Sequence, residues 1–356
     1  MKYKKMALVM ALGVGLSACN NQQPAENNTQ TEVSEETNNE KVDKKVENTN
    51  QNMESVSVYA SFFPIYNLTK QIAGDKFDVK SFTNLKTESH GWEPSAKDIA
   101  ELSNSQVMFI NGAGMEEWEE SLESSSDIEL VNTTKDVELI KGSHDHGHEH
   151  DDEYYDHEHE KESTQEHHHD HEDNHEHHHH HGEFDPHTWL SPKNGIAQAK
   201  VIAEKLSEID PANKDYYMDN YKKIEEELNA MIDEYTKKFE NLDNKNFLVS
   251  HQAFGYLAHD FGLNQIALTS LGATEDADAK TLKDAILKAK NLGINTLFYE
   301  MGGSDKSAKT IADEIGATTV PLNTLEFATD EELNDDTSYQ DLIKYNLEEL
   351  YKSMEK

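Results

Sequence analysis

Histidine is unevenly distributed in this chain. Sixteen of its 20 histidines fall between residues 144 and 181, and the other four stand apart: His90 in TESHGWEPS, His187 in FDPHTWLSP, His251 in LVSHQAF and His259 in YLAHDF. Neutral imidazole is a common metal ligand and suits zinc in particular. His90 lies between a strand and a capped helix, His187 just before a helix, and His251 at the end of a strand. These are the strand exits and helix entries where open α/β sheets build binding crevices. A single loop histidine is more often a surface or hydrogen-bonding residue than a ligand, so the inference rests on the three together. Three imidazoles from separate segments make a nitrogen-rich site for Zn²⁺, with a carboxylate or water completing the tetrahedron. His259, eight residues after His251 and inside an amphipathic stretch, reads as structural.

The crowded run is a different proposition. His144, His146, His148, His150, His157, His159, His167, His168, His169, His171, His175, His177, His178, His179, His180 and His181 are interleaved with Asp and Glu and almost nothing apolar. Such a segment is expected to stay disordered without metal. It is either a solvated spacer or a collector of zinc. Many interchangeable nitrogen donors without fixed geometry favour the collector, one that weakens as imidazole protonates near its pKa of about 6.5.

The rest of the composition narrows the partners. Formal charge is −38, and every basic residue is Lys. Without arginine's bidentate fork or any clustered positive charge, nucleic acid and anionic headgroups are excluded as natural partners, and a cation is favoured. The only cysteine is Cys19. A run of Lys2, Lys4 and Lys5, apolar residues 6–16 and then LSAC reads as a secretory signal over 1–18. Leu16, Ser17 and Ala18 before Cys19 resemble the lipobox of bacterial lipoproteins, which implies an acylated Cys19 as the membrane anchor. With that thiol consumed, a metal site must come from His, Asp, Glu and water. Residues 19–53 are polar and read as a disordered tether, about 30 Å or more in reach.

The elements that must position the histidines begin near Val56. Strand-like VSVYASF, KFDVKSF, QVMFIN and IELVN alternate with helical FPIYNLTKQIAG, EPSAKDIAELSN and MEEWEESLES. Ser95 with Asp98 reads as a capping pair. This is an α/β lobe over 54–190, with 143–182 as its insert. Ser191 and Pro192 open a helix, and Asp210 with Pro211 repeats the N-cap and first-turn proline device. Tyr217, Tyr221, Ile224, Leu228, Met231, Tyr235, Phe239 and Leu242 then form one stripe on a helix about 45 Å long. That gives a helical connection over 191–242. The alternation resumes over 243–356 with NFLVSH, NQIAL, INTLFYE and ATTVPLN as strands, and SYQDLIKYNLEELYKSM closes the chain as a helix. The expected fold class is α/β: two lobes, each with a mostly parallel sheet flanked by helices, joined by one long helix.

SHGWEPSAKDI, FDPHTWLSP and VSHQAFGYLAHDFGL, in that order and spacing, resemble segments of the zinc-specific substrate-binding lipoproteins of bacterial ABC metal uptake systems. The likeness runs from about residue 56 to the C-terminus. It implies a rigid linking helix, metal bound between the lobes, ligands at His90, His187 and His251, and an ABC transporter permease as partner to a monomeric binding protein. Histidine rather than carboxylate at the third position implies Zn²⁺ over Mn²⁺. For the fourth ligand the resemblance favours Glu326 in PLNTLEFATDEE, with Glu300 in LFYEMGGS, or water, as competitors. Asp185 before Pro186 fits two roles, orienting an imidazole and forming the turn. A zinc hydrolase is the rival class, since three His and a water also make a catalytic site. None of the three histidines sits in an H-E-x-x-H motif, and a carboxylate in the fourth position closes the coordination that catalysis needs open. A manganese-binding or adhesin-type relative is the remaining alternative.

Overall fold

The computed structural model describes residues 57–142, 183–269, 277–334 and 337–355. The signal, Cys19, the tether and the histidine-rich insert lie outside the described residues.

The first sheet is built from β1 (Ser57–Ala60), β2 (Asp78–Ser81), β3 (Val107–Ile110) and β4 (Glu129–Asn132), all parallel, in the order β2-β1-β3-β4. Its helices are α1 (Phe63–Ala73), α2 (Ala96–Glu101) and α3 (Glu119–Ser125). Two long helices follow, α4 (Pro192–Ile209) and α5 (Lys214–Glu240). The second sheet repeats the first: β5 (Asn246–His251), β6 (Asn264–Thr269), β7 (Thr296–Glu300) and β8 (Thr318–Leu322) are parallel in the order β6-β5-β7-β8. Around it run α6 (Gly255–Phe261), α7 (Ala279–Leu292), α8 (Lys306–Ile315), α9 (Asp330–Asn334) and α10 (Tyr339–Met354). In both sheets the strand order reverses between the first and third strands, the place where α/β proteins open a crevice at the carboxyl edge.

The long helix is dictated by its stripe. Tyr217, Tyr221, Ile224, Leu228, Met231, Tyr235 and Phe239 are all buried along 27 residues, about 40 Å. Each such side chain contributes about 1.5–3 kcal/mol on burial. Helix α5 packs on α4 and α1, and also on α6 and α10, so one apolar core runs beneath both sheets.

Local signals are honoured at several helix starts. Ser95 and Asp98 form a capping box on α2, Ser191 caps α4, and Ser338 with Asp341 boxes α10. The Asp210–Pro211 device resolves differently. Pro211–Asn213 is a short 3-10 turn without a side-chain cap, and the Asp210 carboxylate instead accepts from Asn213 Nδ2 at 2.6 Å and Tyr217 Oη at 2.7 Å. The buried tyrosine needs an acceptor for its hydroxyl, and it claims the carboxylate.

Candidate metal centre

His187 is held by a dense polar frame. The Asp185 carboxylate accepts from the His187 backbone N at 2.9 Å and pairs with its Nδ1 at 2.8 Å, so this one residue both forms the turn and orients the ring. Asn111, at the exit of β3 and fully buried, donates to Pro186 O at 2.9 Å. Its Oδ1 accepts from Thr188 Oγ1 at 2.7 Å and from Gln198 Nε2 at 2.9 Å. Beneath it, Glu116 takes the backbone N–H groups of Asn111 and Gly112. Burial pushes the Glu116 carboxyl up to about 7, against the pull of those donors. The imidazole that must be placed thus rests on a network in which nearly every polar atom has a partner.

A second clamp comes from the other lobe. Tyr256 on α6 donates to Asp185 O at 2.8 Å and accepts from Ile140 N at 3.1 Å. Residues 140–142 and 183–185 are themselves paired as a short antiparallel ribbon, with Gly142 N on Glu183 O and Asp185 N on Ile140 O. The neighbour of Tyr256 must be small: a Cβ on Gly255 would stand 2.7 Å from Asp185 Oδ2.

His90 sits on the loop between β2 and α2, two residues before Trp92, whose ring joins Phe82 and Trp118 in an edge-to-face cluster. That loop is bonded to the segment carrying Glu326, with Ala328 N donating to Leu85 O at 2.6 Å and Ser89 Oγ to Glu326 O at 3.4 Å. His251 is the last residue of β5 and Glu300 the last of β7. Glu326 follows Leu325, a non-glycine residue at φ 58°. The left-handed conformation costs about 1–3 kcal/mol. It is held by full burial of the leucine side chain and by Asn323, whose Oδ1 accepts from Leu325 N while Asn346 grips the Asn323 backbone on both sides.

These elements bring His90, His187, His251 and Glu326 to one point. His90 Nε2 and His187 Nε2 are 3.1 Å apart, and each lies 3.6 Å from Glu326 Oε1. The His251 ring centroid is 5.0 Å from that of His187 and 5.8 Å from that of His90. Zinc bonds of about 2.0–2.1 Å at tetrahedral angles put neighbouring donors about 3.3 Å apart, close to the 3.1 and 3.6 Å found among His90, His187 and Glu326. Both Glu326 oxygens are buried without a hydrogen-bond partner. An unpartnered buried carboxylate is costly unless a cation answers it.

When no cation is bound, the neighbouring imidazoles answer that charge. Burial alone would lower the His187 pKa, but Asp185 and then Glu326 outweigh it and push it up to about 9. Burial likewise opposes ionisation of Glu326, yet His90 and His187 hold its carboxyl well below the usual range. His251 is also shifted up, with burial overcome by Glu300 and Glu326.

His90, His187, His251 and Glu326 therefore converge, and Glu300 occupies a neighbouring place: its Oε2 is 3.9 Å from His251 Nδ1 and its Oε1 accepts from Thr324 Oγ1 at 2.6 Å. His259 is exposed on α6. The residues that sequence reasoning missed are the supports, Asn111, Gln198, Tyr256 and Asn346, and half-buried Glu88. Burial and the nearby Glu326 and Glu300 push the Glu88 carboxyl up. Glu88 alone carried a signal, two residues before His90.

Residues 58–353 match the family described as "ZnuA: Zinc-uptake complex component A periplasmic". The chain is 34% identical over 304 residues to the high-affinity zinc uptake system protein ZnuA of Bacillus subtilis (strain 168), covering 85% of this chain and 88% of that one. It is 32% identical over 305 residues to the zinc-binding protein AdcA of Streptococcus pyogenes serotype M3, covering 83% of this chain and 55% of the relative, so it spans about half of that longer protein. Among solved structures, the laminin binding protein Lmb of Streptococcus agalactiae, described as bifunctional with adhesin and metal transporting activity, aligns with TM-score 0.69 at 27% identity, over 84% of this chain and all of that one. The Zn(II)-bound ZnuA-like domain of Streptococcus pneumoniae AdcA aligns with TM-score 0.67 at 27% identity, over 85% of this chain and 100% of the domain.

Proposed function

The chain belongs to the ZnuA family of zinc-uptake complex components, and on that premise we propose that it captures Zn²⁺ outside the cytoplasm and delivers it to the permease of an ABC importer. The proposed ligands are His90, His187, His251 and Glu326, placed where the two lobes, 54–190 and 243–356, meet across the helical connection 191–242. The observation that carries this reading is the Glu326 carboxylate, 1% exposed and without a hydrogen-bond partner, facing imidazoles at zinc-like spacing. Three nitrogens and one oxygen favour Zn²⁺ over Mn²⁺.

The role proposed is binding rather than catalysis. With Glu326 as fourth donor no coordination position remains for the water that a zinc hydrolase activates. Cys19 is read as the lipid anchor, the protein as a monomer, and the histidines from His144 to His181 as a zinc collector rooted at the 140–142 and 183–185 ribbon beside His187.

Calorimetric zinc titration of a variant lacking residues 143–182, with and without His187→Ala, tests the assignment. One tight site is expected in the first. In the second the affinity should fall by more than about a hundredfold, the upper end of what losing a mere supporting residue costs. Loss of tight binding on deleting the insert alone would move the site out of the lobes.

A further inference from the structure

Five side chains, rather than four, surround the proposed ion position. Among the described residues, two sets of three metal-capable donors have atoms within 4.8 Å of one another: His90, His187 and His251, and then His251, Glu300 and Glu326. The first set draws on both lobes. The second belongs wholly to the C-terminal lobe, since His251 ends β5, Glu300 ends β7 and Glu326 follows β8. Strands β5 and β7 are parallel neighbours with Val249 opposite Phe298, so His251 and Glu300, each two residues further on, leave the sheet side by side. They do so where the strand order reverses, the position at which such sheets bind ligands.

Exposure grades across the five. The side chains of His187 and Glu326 are 0% exposed, His251 8%, His90 13% and Glu300 18%. An ion arriving from solvent therefore meets Glu300 and His90 before it reaches His187. Glu300 is held ready by Thr324, which occupies Oε1 and leaves Oε2 turned toward His251. Glu326 adds a sign of a ligand, because both of its oxygens are buried without a hydrogen-bond partner, while its closest approaches to His90 and His187, 3.6 Å each, are both through Oε1.

We propose that His251, Glu300 and Glu326 form a second, overlapping cation position through which zinc passes on its way into and out of the four-donor centre. This rests on the reading of His90, His187, His251 and Glu326 as the transport ligands. The two positions share His251 and Glu326, so one ion moves between them: the shared pair keeps hold while Glu300 is exchanged for His90 and His187. One nitrogen and two carboxylates form a less zinc-selective donor set than three imidazoles and one carboxylate, so the outer position is the weaker and faster to exchange.

Cobalt(II) titration of the full-length chain carrying His90→Ala and His187→Ala, with and without Glu300→Cys, tests it. The insert contains no sulfur, and Cys19 is common to both chains, so a difference reports the introduced thiolate alone. An intense near-ultraviolet thiolate-to-cobalt charge-transfer band is expected only with Glu300→Cys. Its absence from a chain with native-like circular dichroism would overturn the second position, because a residue that merely orients His251 gives no such band. If the double substitution does not fold, His90→Ala with Glu300→Cys is read by the same two outcomes. For the passage itself, Glu300→Gln should slow the slowest phase of zinc release to excess chelator by roughly tenfold, about 1.4 kcal/mol on the barrier. An unchanged rate overturns it. Tight zinc binding retained by His187→Ala would instead sink the four-donor reading, whatever the cobalt spectra show.

Discussion

Asp185 acts on His187 in two opposed ways. It fixes the ring so that Nε2 points at Glu326, and it raises the affinity of that ring for a proton, which zinc must displace. The folded-state pKa of about 9 lies above the ordinary 6.5, so the ion pairs of His187 stabilise the metal-free fold fully below pH 6.5 and are lost as pH rises through about 9. Thermal unfolding of the chain in chelator should therefore show Tm declining across that window, a decline that His187→Gln removes. Affinity for zinc runs the other way, rising by at least about tenfold per pH unit below pH 9 as His187 gives up its proton. Calorimetry of the variant lacking 143–182, in buffers of different ionisation enthalpy, counts that proton; zero release at pH 7 would contradict the charge state given to His187. Asp185→Asn should weaken zinc by about 10–100-fold near pH 9 through lost orientation. The deficit should narrow toward pH 6.5, because the variant ring no longer holds its proton so firmly. A deficit constant with pH would mean that Asp185 only shapes the turn.

At the scale of elements, individual hydroxyls and amides interlock the lobes above the apolar core they share. Tyr256 on α6 is the clearest, since it bonds the ribbon on which Asp185 lies. Tyr256→Phe keeps the ring packing and leaves Asp185 O and Ile140 N without their partner, a loss of about 1–3 kcal/mol in stability. Zinc affinity should fall with it, and cobalt d–d spectra should broaden as His187 loosens; an unchanged spectrum would confine Tyr256 to stability alone. The helices themselves were legible because their causes are local: the α5 stripe repeats every three to four residues, and Ser95 lies three residues from Asp98. The three loop histidines were legible for a related reason, each marking a strand exit or a helix entry. What could not be read is carried by partners distant in sequence. Asn111 meets Gln198 across 87 positions, Tyr256 meets Asp185 across 71, and the buried turn before Glu326 depends on Asn346, 23 residues further on. Asp210 failed as a cap for the same reason in miniature, since Tyr217 seven residues away won its carboxylate.

At the scale of the molecule, two sheets of identical strand order contribute two donors each to the proposed centre: His90 and His187 come with the first, His251 and Glu326 with the second. They are joined by direct contacts between side chains and backbone. Asn67 on α1 donates to Thr337 O and accepts from Tyr339 N, Gln71 and Gln340 exchange amide hydrogen bonds, Gln340 reaches Glu227 on α5, and a single apolar core lies beneath. A core shared in this way makes partial unfolding of one lobe expensive, because it would strip apolar surface from the other. The two lobes should then melt as one cooperative unit, and zinc, on the proposed ligation by donors from both, should raise that whole transition rather than half of it. At a free zinc concentration a thousandfold above Kd the gain is about 4.1 kcal/mol. Scanning calorimetry of the variant lacking 143–182, in chelator and with saturating zinc, should give one endotherm that moves upward intact. Two endotherms of which zinc shifts only one would show that the ion is held by a single lobe, and would place the binding energy on the His251, Glu300 and Glu326 side of the cleft.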